Sequence, residues 1–80
     1  MIDEKQDRRE QIAALQHEIW AHWMRYLFTC CEGNEDGSMT IPVDKVARWR
    51  RQIDTPYSEL TDRERESDLE QADKIVKILL

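Results

Sequence analysis

The sequence predicts a mainly α protein, built as one compact three-helix domain over residues 1–80 with a short, Gly-containing and partly extended connection. Apolar residues recur at three- and four-residue steps, as they do along one face of a helix. Only two glycines and two prolines occur, and they lie between the apolar segments. A chain of 80 residues suits a single domain, near the size at which one hydrophobic core is just sufficient.

The first helix is predicted from Asp3 to Cys31, and it carries two adjoining apolar stripes. The stripes are Ile12, Leu15, Ile19, Trp23, Tyr26 and Cys30, and beside them Ala13, His17, Trp20, Met24 and Phe28. So broad an apolar surface indicates either a wrapped core or a self-association surface. We therefore expect a homodimer or a higher homo-oligomer.

The connection after this helix reads "CEGNEDGSMTIP". Gly33 suits the end of a helix, Asp36-Gly37 is a turn signal, and the "SMTI" segment is predicted to be briefly extended. An alternative interpretation is a calcium loop with Gly37 at position 6. That alignment places Val43 at position 12, where calcium loops require a bidentate glutamate. The pattern therefore does not favour calcium.

The second helix is predicted over "VDKVARWRRQI", with Pro42 in its first turn. Pro56 ends it, and the third helix begins at Asp62 because Thr61 and Glu64 form a T-x-x-E capping box. The third helix has an apolar face made by Leu69, Ala72, Val76 and Leu79. The predicted core combines all three helices: Ile19, Trp23, Val46, Trp49, Leu60, Leu69, Ala72 and Val76.

Charge and composition exclude several classes of protein. The net charge of −5 argues against general binding to nucleic acid or to an anionic membrane, and no apolar run approaches the ~20 residues that span a bilayer. The polar start "MIDEKQDRRE" has no signal-peptide core, so we expect a cytoplasmic protein. Cys30 and Cys31 are adjacent, and with His17 and His22 they fit no usual zinc spacing. We expect neither a metal nor a cofactor.

Lys45, Arg48 and Arg51 lie on the second helix with Arg50, forming the one basic concentration in an acidic chain. One interpretation is a solvated face whose charges balance nearby acids. The other is an anion site for phosphate groups, to which the guanidinium fork is well suited.

Two motifs carry a family resemblance. "HEIW" (His17, Glu18, Ile19 and Trp20) precedes "PYSELTDRERESDLEQADKIVKIL" at residues 56–79, and together they cover roughly half the chain. In this order they resemble the two halves of a ryanodine-receptor-type (RyR) domain. The segment between them lacks the Gly-Trp segment and the His-Pro loop of that family. The overall layout also resembles small open reading frames of bacteriophages and prophages.

The resemblance implies an adenine-nucleotide site held between paired repeats. On this chain it implies that Trp20 stacks on the base and that Asp68 hydrogen-bonds nearby. Tyr57, in the Pro-Tyr turn of the second motif, joins the predicted ligand-binding set, as do the basic residues Lys45, Arg48 and Arg51. A chain with a single repeat would complete such a site by pairing two copies.

The expected function is non-enzymatic binding of a nucleotide-type small molecule, cyclic or ADP-ribose-like. For a phage-like protein in the host cytoplasm, this predicts sequestration of a host nucleotide signal made in anti-phage defence. The alternative is a protein-interaction module that acts through the apolar face of the first helix. The sequence contains no recognisable nucleophile–base pair, paired carboxylates or phosphate-binding glycine loop, which argues against an enzyme.

Overall fold

The computed structural model describes residues 4–80 as three helices joined by a small hairpin and a tight turn. The elements are α1 (Glu4–Cys30), β1 (Glu32–Gly33), β2 (Met39–Thr40), α2 (Val43–Ile53), a 3₁₀ helix (Tyr57–Glu59) and α3 (Asp62–Leu79). The prediction of a mainly α, three-helix fold with a partly extended, Gly-containing connection is confirmed. Asp3, the predicted first residue of the first helix, lies outside the described residues.

The connection between α1 and α2 is an antiparallel hairpin in which Glu32 pairs with Thr40 and Gly33 with Met39. This confirms the extended conformation predicted for the "SMTI" segment at Met39–Thr40. The prediction that Gly33 ends the first helix is wrong, because α1 ends at Cys30 and Gly33 pairs with Met39 in the hairpin. The hairpin places Pro42 directly before α2, where its fixed φ of −59° suits the entry to a helix.

The turn of this hairpin depends on a glycine and on a short aspartate network. The Gly37 N–H donates to the Asn34 carbonyl at 3.1 Å, and Gly37 has a φ of +90°, which an L side chain rarely adopts. The Asp36 carboxylate accepts hydrogen bonds from the Ser38 hydroxyl at 2.6 Å and the Ser38 N–H at 2.9 Å. These two bonds hold the pKa of Asp36 below its usual range.

The start of α3 is fixed by the predicted capping box. The Thr61 hydroxyl accepts from the Glu64 N–H at 3.2 Å, and the Glu64 carboxylate accepts from the Thr61 N–H at 3.1 Å. The 3₁₀ helix just before it is held by Arg65, which donates to the Ser58 carbonyl at 3.2 Å. The join between α2 and α3 is therefore defined by local hydrogen bonds.

The main packing of the helices is between α1 and α3. Leu15 on α1 and Gln71 on α3 are the two buried residues within 4–80, each 8% exposed. Ile75 and Ile78 follow Gln71 at helical spacing and are half-buried. The side of α3 that packs against α1 is therefore the one that carries Gln71, Ile75 and Ile78.

The predicted core is wrong in detail, because none of its eight members is buried. Trp23, Leu69 and Val76 are exposed by 36%, 49% and 47% of their surface. Ile19, Val46, Trp49, Leu60 and Ala72 are half-buried. The reason is that α3 turns a different side to α1, while α2 approaches both long helices much less closely.

The helices are spread apart, over 52 × 36 × 16 Å with a radius of gyration of 16.6 Å. An 80-residue chain that closes around a single core has a radius of gyration of about 12 Å. The spread leaves an open groove between the helices. Within residues 4–80, none of the helices combines the length and apolar composition that crossing a bilayer requires.

Candidate functional site

An open groove of about 1120 Å³ runs between the three helices. Its α1 wall is largely aromatic, and its α2 wall combines an aromatic ring with basic side chains. Its α3 wall is polar and carries acidic side chains together with Arg63. These walls include Trp23 and Tyr26 from α1, Arg48 and Trp49 from α2, and Ser67 and Asp68 from α3.

Aromatic rings follow one another across the α1 and α2 walls. Trp23 meets Tyr26 with ring centroids 6.2 Å apart and planes at 85°, and Tyr26 meets Trp49 at 6.4 Å and 61°. At the other end of the series, His22 meets Trp23 at 4.9 Å and 77°. Edge-to-face contacts of this kind are favoured by the ring quadrupoles. The Tyr26–Trp49 contact joins α1 to α2 and leaves apolar ring surface in the groove.

The basic side chains of α2 differ in what they contact. Arg48 donates to the Tyr26 hydroxyl at 3.2 Å, which is a neutral partner. Arg51 instead donates to the Glu64 carboxylate at 2.6 Å. Neither Lys45 nor Arg48 forms an ion pair with another residue of the 4–80 segment. Lys45 and Arg48 are therefore the charges of this wall that are open to an anion.

Glu64 neutralises Arg51 and belongs to the capping box of α3 at the same time. Its side chain is 8% exposed. The hydrogen bond from Arg51 holds the pKa of Glu64 below its usual range, and the hydrogen bonds with Thr61 act in the same direction. An ionised Glu64 thus fixes the Arg51 side of the groove and leaves the Lys45 and Arg48 side basic.

The structure brings four of the six predicted ligand-binding residues together. Lys45, Arg48, Arg51 and Asp68 all line the groove, with Asp68 on the α3 wall and the basic residues on the α2 wall. The basic helix and the acidic position of the second motif therefore share one site, although they lie far apart in the sequence.

The other two predicted residues, Trp20 and Tyr57, lie away from this groove. Trp20 is 55% exposed, and its ring stacks on His17 with centroids 5.7 Å apart and planes at 28°. Tyr57 is 50% exposed in the 3₁₀ helix. The base-stacking role of Trp20 stays a prediction, and it would require a surface outside the groove.

A smaller cleft of about 430 Å³ lies between α1 and α3. Two residues of the "HEIW" motif, His17 and Glu18, line it together with Arg25 and Lys74. The motif is therefore divided, because its histidine and glutamate line this cleft while Trp20 does not.

The groove aromatics Trp23, Tyr26 and Trp49 were not predicted as site residues, and both tryptophans were assigned to the core. Their periodicity indicates one apolar side of each helix, which is equally consistent with packing and with a groove wall. One feature of the sequence could have indicated that Trp49 belongs to a binding site, namely that it lies between Arg48 and Arg50. An aromatic ring interleaved with basic residues is typical of surfaces that bind bases and phosphates.

Metal binding has little support from the side chains of residues 4–80. In that range, no three histidine, cysteine, aspartate or glutamate side chains are grouped so as to hold a metal ion. Cys30 and Cys31 are free and half-buried. The groove therefore offers rings and charges rather than a ligand set.

Comparison with known proteins leaves the groove and the motifs as the basis for a functional interpretation. No protein-family model matches the chain, and neither a curated protein nor a solved structure is significantly similar to it.

Proposed function

We propose that the protein binds a nucleotide-type small molecule in the groove, cyclic or ADP-ribose-like, and releases it chemically unchanged. The observation that carries the proposal is the Tyr26–Trp49 ring pair beside Arg48. Stacking of a base on an aromatic side chain contributes about 1–3 kcal/mol. Arginine binds phosphate oxygens through its planar fork. The groove therefore offers both halves of nucleotide recognition within one wall.

The size and charge of the groove support the same ligand class. Small-molecule pockets are typically about 300–1,000 Å³, and the groove of about 1120 Å³ lies just above that range. A nucleotide-type ligand fits within a groove of this size. Lys45 and Arg48 would face its phosphates, and the Asp68 carboxylate would accept a hydrogen bond from a ribose hydroxyl or an exocyclic amine.

The biological role we propose is sequestration of a host nucleotide signal by a phage protein in the host cytoplasm. The support is the resemblance of "HEIW" and of the segment from Pro56 to Leu79 to an RyR-type domain, and of the whole layout to phage open reading frames. A sequestering protein needs affinity and abundance, with no chemical step. The proposal therefore assigns no catalytic residue.

The proposal has two versions of the base site. In one, the base stacks in the groove on Trp49 or Tyr26. In the other, which follows from the resemblance, it stacks on the exposed Trp20. The two versions differ in which substitution removes binding.

The test is a thermal-shift and calorimetric screen against AMP, ADP-ribose and a cyclic dinucleotide. A ligand that binds only the native state raises the melting temperature. Arg48→Gln should weaken binding about 10–100-fold, because a hydrogen bond to a charged group contributes about 1.5–3 kcal/mol. Arg50→Gln is the matched control, since Arg50 lies on the same helix and does not line the groove. Recovery of intact ligand by chromatography tests whether it is released unchanged.

The outcomes separate the versions of the proposal from its failure. Loss of binding in Arg48→Gln with retention in Arg50→Gln and Trp20→Ala supports the groove site. Loss in Trp20→Ala alone supports the site implied by the resemblance. If no nucleotide raises the melting temperature of the wild type at millimolar concentration, nucleotide binding is wrong.

A protein-interaction module is the second candidate, and the exposed apolar side chains of α1 favour it. Ile12, Trp20 and Phe28 are 37%, 55% and 52% exposed. Large exposed apolar side chains on one helix indicate a surface that another protein covers. This candidate predicts that the wild type binds a protein partner in a co-purification experiment. Trp20→Lys and Phe28→Lys should lose that binding, and Arg48→Gln should keep it.

A further inference from the structure

Helix α3 carries two apolar stripes on different sides, and only one of them packs against α1. The packed side holds the buried Gln71 with the half-buried Ile75 and Ile78. On the adjoining side, Leu69, Ala72, Val76 and Leu79 form what we call the α3 stripe. Its three large members are exposed by 49%, 47% and 53%. A regular apolar stripe left this open on a helix that is already packed requires a second cover.

The total surface of the chain shows that the molecule as a whole is more open than a compact monomer. The chain exposes 6951 Å², whereas a compact monomer of its mass, 9.6 kDa, exposes about 5,100 Å². The excess is about 1,800 Å² per chain, and a stable interface buries about 800 Å² on each partner or more. This excess is shared among the groove, the exposed apolar side chains of α1 and the α3 stripe, and in total it exceeds the area that a stable interface with a second copy requires.

We infer that the α3 stripe pairs with the α3 stripe of a second copy, with the two helices antiparallel around a two-fold axis that crosses the stripe midway between Ala72 and Val76. The members of the stripe are separated by three, four and three residues, which is the spacing of the apolar positions in a coiled coil. The antiparallel pairing sets Leu69 opposite Leu79 of the other copy, and Ala72 opposite Val76. A parallel pairing would set Ala72 against its own counterpart and leave unfilled space.

A second copy of the chain supplies a stripe with the same length and spacing as the stripe that it covers. A two-fold interface uses the same patch on both partners and closes the assembly at two subunits. The acidic residues next to the stripe, such as Asp73, form a polar rim around an apolar centre, as in other interfaces. The inference concerns the α3 stripe and not the Gln71 side, and it does not depend on nucleotide binding.

The first test is the mass of the protein in solution. Sedimentation equilibrium at tens of micromolar should give twice 9.6 kDa for the wild type. Val76→Glu should give the monomer mass at the same concentration, and Lys77→Glu, which places a glutamate off the stripe and changes the net charge by two units instead of one, should remain dimeric. A monomeric wild type, or a Val76→Glu variant that is still a dimer, overturns the inference.

The second test uses cross-linking to determine whether the two α3 helices are antiparallel, and it does not require a disruptive variant. In a background where Cys30 and Cys31 are serine, Leu69→Cys and Leu79→Cys chains should form a disulfide with each other when mixed and oxidised. Neither variant should cross-link to itself. Self-cross-linking of each variant would instead show a parallel pairing, and absence of all cross-links would show that the α3 stripe is not the interface.

Discussion

The Arg51 guanidinium, in the last turn of α2, donates to the Glu64 carboxylate, in the first turn of α3, at 2.6 Å. This ion pair spans the Pro56 turn and holds the end of α2 against the start of α3. Because α2 approaches the two long helices only weakly elsewhere, the pair is one of the contacts that position α2 beside the groove. It also fixes which basic side chains of α2 are open to an anion.

Glu64→Gln should lower the melting temperature at pH 7, and the loss should come from the ion pair alone. Glutamine still serves in a capping box, so the cap of α3 is retained while the charge that binds Arg51 is removed. Glu66→Gln, at an exposed acid in the same turn, is the control. Thermal melts of the three proteins test the assignment, and equal effects of both substitutions would contradict it.

The contribution of Glu64 should also depend on pH. A carboxyl group whose pKa is lower in the folded state stabilises the fold above its unfolded pKa, which is about 4.3 for glutamate. That stabilisation disappears as pH falls through the lower pKa that Glu64 has beside Arg51. Melts between pH 7 and pH 2 should therefore show the wild type and Glu64→Gln differing most near neutrality and converging in acid. A difference that stays constant over this range would rule out the ion pair as its source.

Thr61→Ala should destabilise the protein by about 1 kcal/mol, since the Thr61 hydroxyl caps the Glu64 N–H. In a domain of this size, that corresponds to a fall in melting temperature of about 4–8 °C. Thr61→Ser keeps the hydroxyl and should behave like the wild type. Chemical denaturation of the three proteins measures the cost, and an equal loss in Thr61→Ser would implicate the methyl group of threonine instead of the cap.

Local signals in the sequence were enough to predict the bounds of the second helix and the start of the third. Thr61 and Glu64 are three residues apart and Pro42 and Pro56 flank the second helix, so the hydrogen bonds and φ restrictions that end each helix are encoded within a few residues. The grouping of Lys45, Arg48 and Arg51 was predicted for the same reason, because helical spacing alone relates them.

The sides on which the helices pack could not be predicted in the same way. α3 has apolar residues on the Gln71, Ile75 and Ile78 side as well as on the α3 stripe, and periodicity does not distinguish between two stripes on one helix. The Tyr26–Trp49 contact joins residues 23 positions apart, so it depends on how α2 is placed relative to α1. The contacts that position α2, among them the Tyr26–Trp49 and Arg51–Glu64 pairs, join different elements, and the apolar periodicity of a single helix does not indicate them.

Gly37→Ala should cost about 1–2 kcal/mol, because Gly37 has a positive φ that is unfavourable for residues with a Cβ. The cost is conformational, since an added Cβ would meet no atom within 4 Å. Gly33→Ala is a matched control: a Cβ there also meets nothing within 4 Å, and Gly33 is not among the glycines with positive φ. Denaturation should show Gly33→Ala within about 0.5 kcal/mol of the wild type; similar costs at both positions would contradict the backbone explanation.

Tyr26→Phe should separate the effect of the Tyr26 hydroxyl on protein stability from its effect on nucleotide binding. It removes the hydroxyl that accepts from Arg48 and keeps the ring that contacts Trp23 and Trp49. The melting temperature should change little, because this hydrogen bond is exposed to water. Nucleotide affinity should fall about 2–10-fold, since Arg48 would no longer be held in place and a net hydrogen bond contributes about 0.5–1.5 kcal/mol. Calorimetry and thermal melts on the same samples give both values. A fall in stability with unchanged affinity would show that the hydroxyl supports only the contact between α1 and α2.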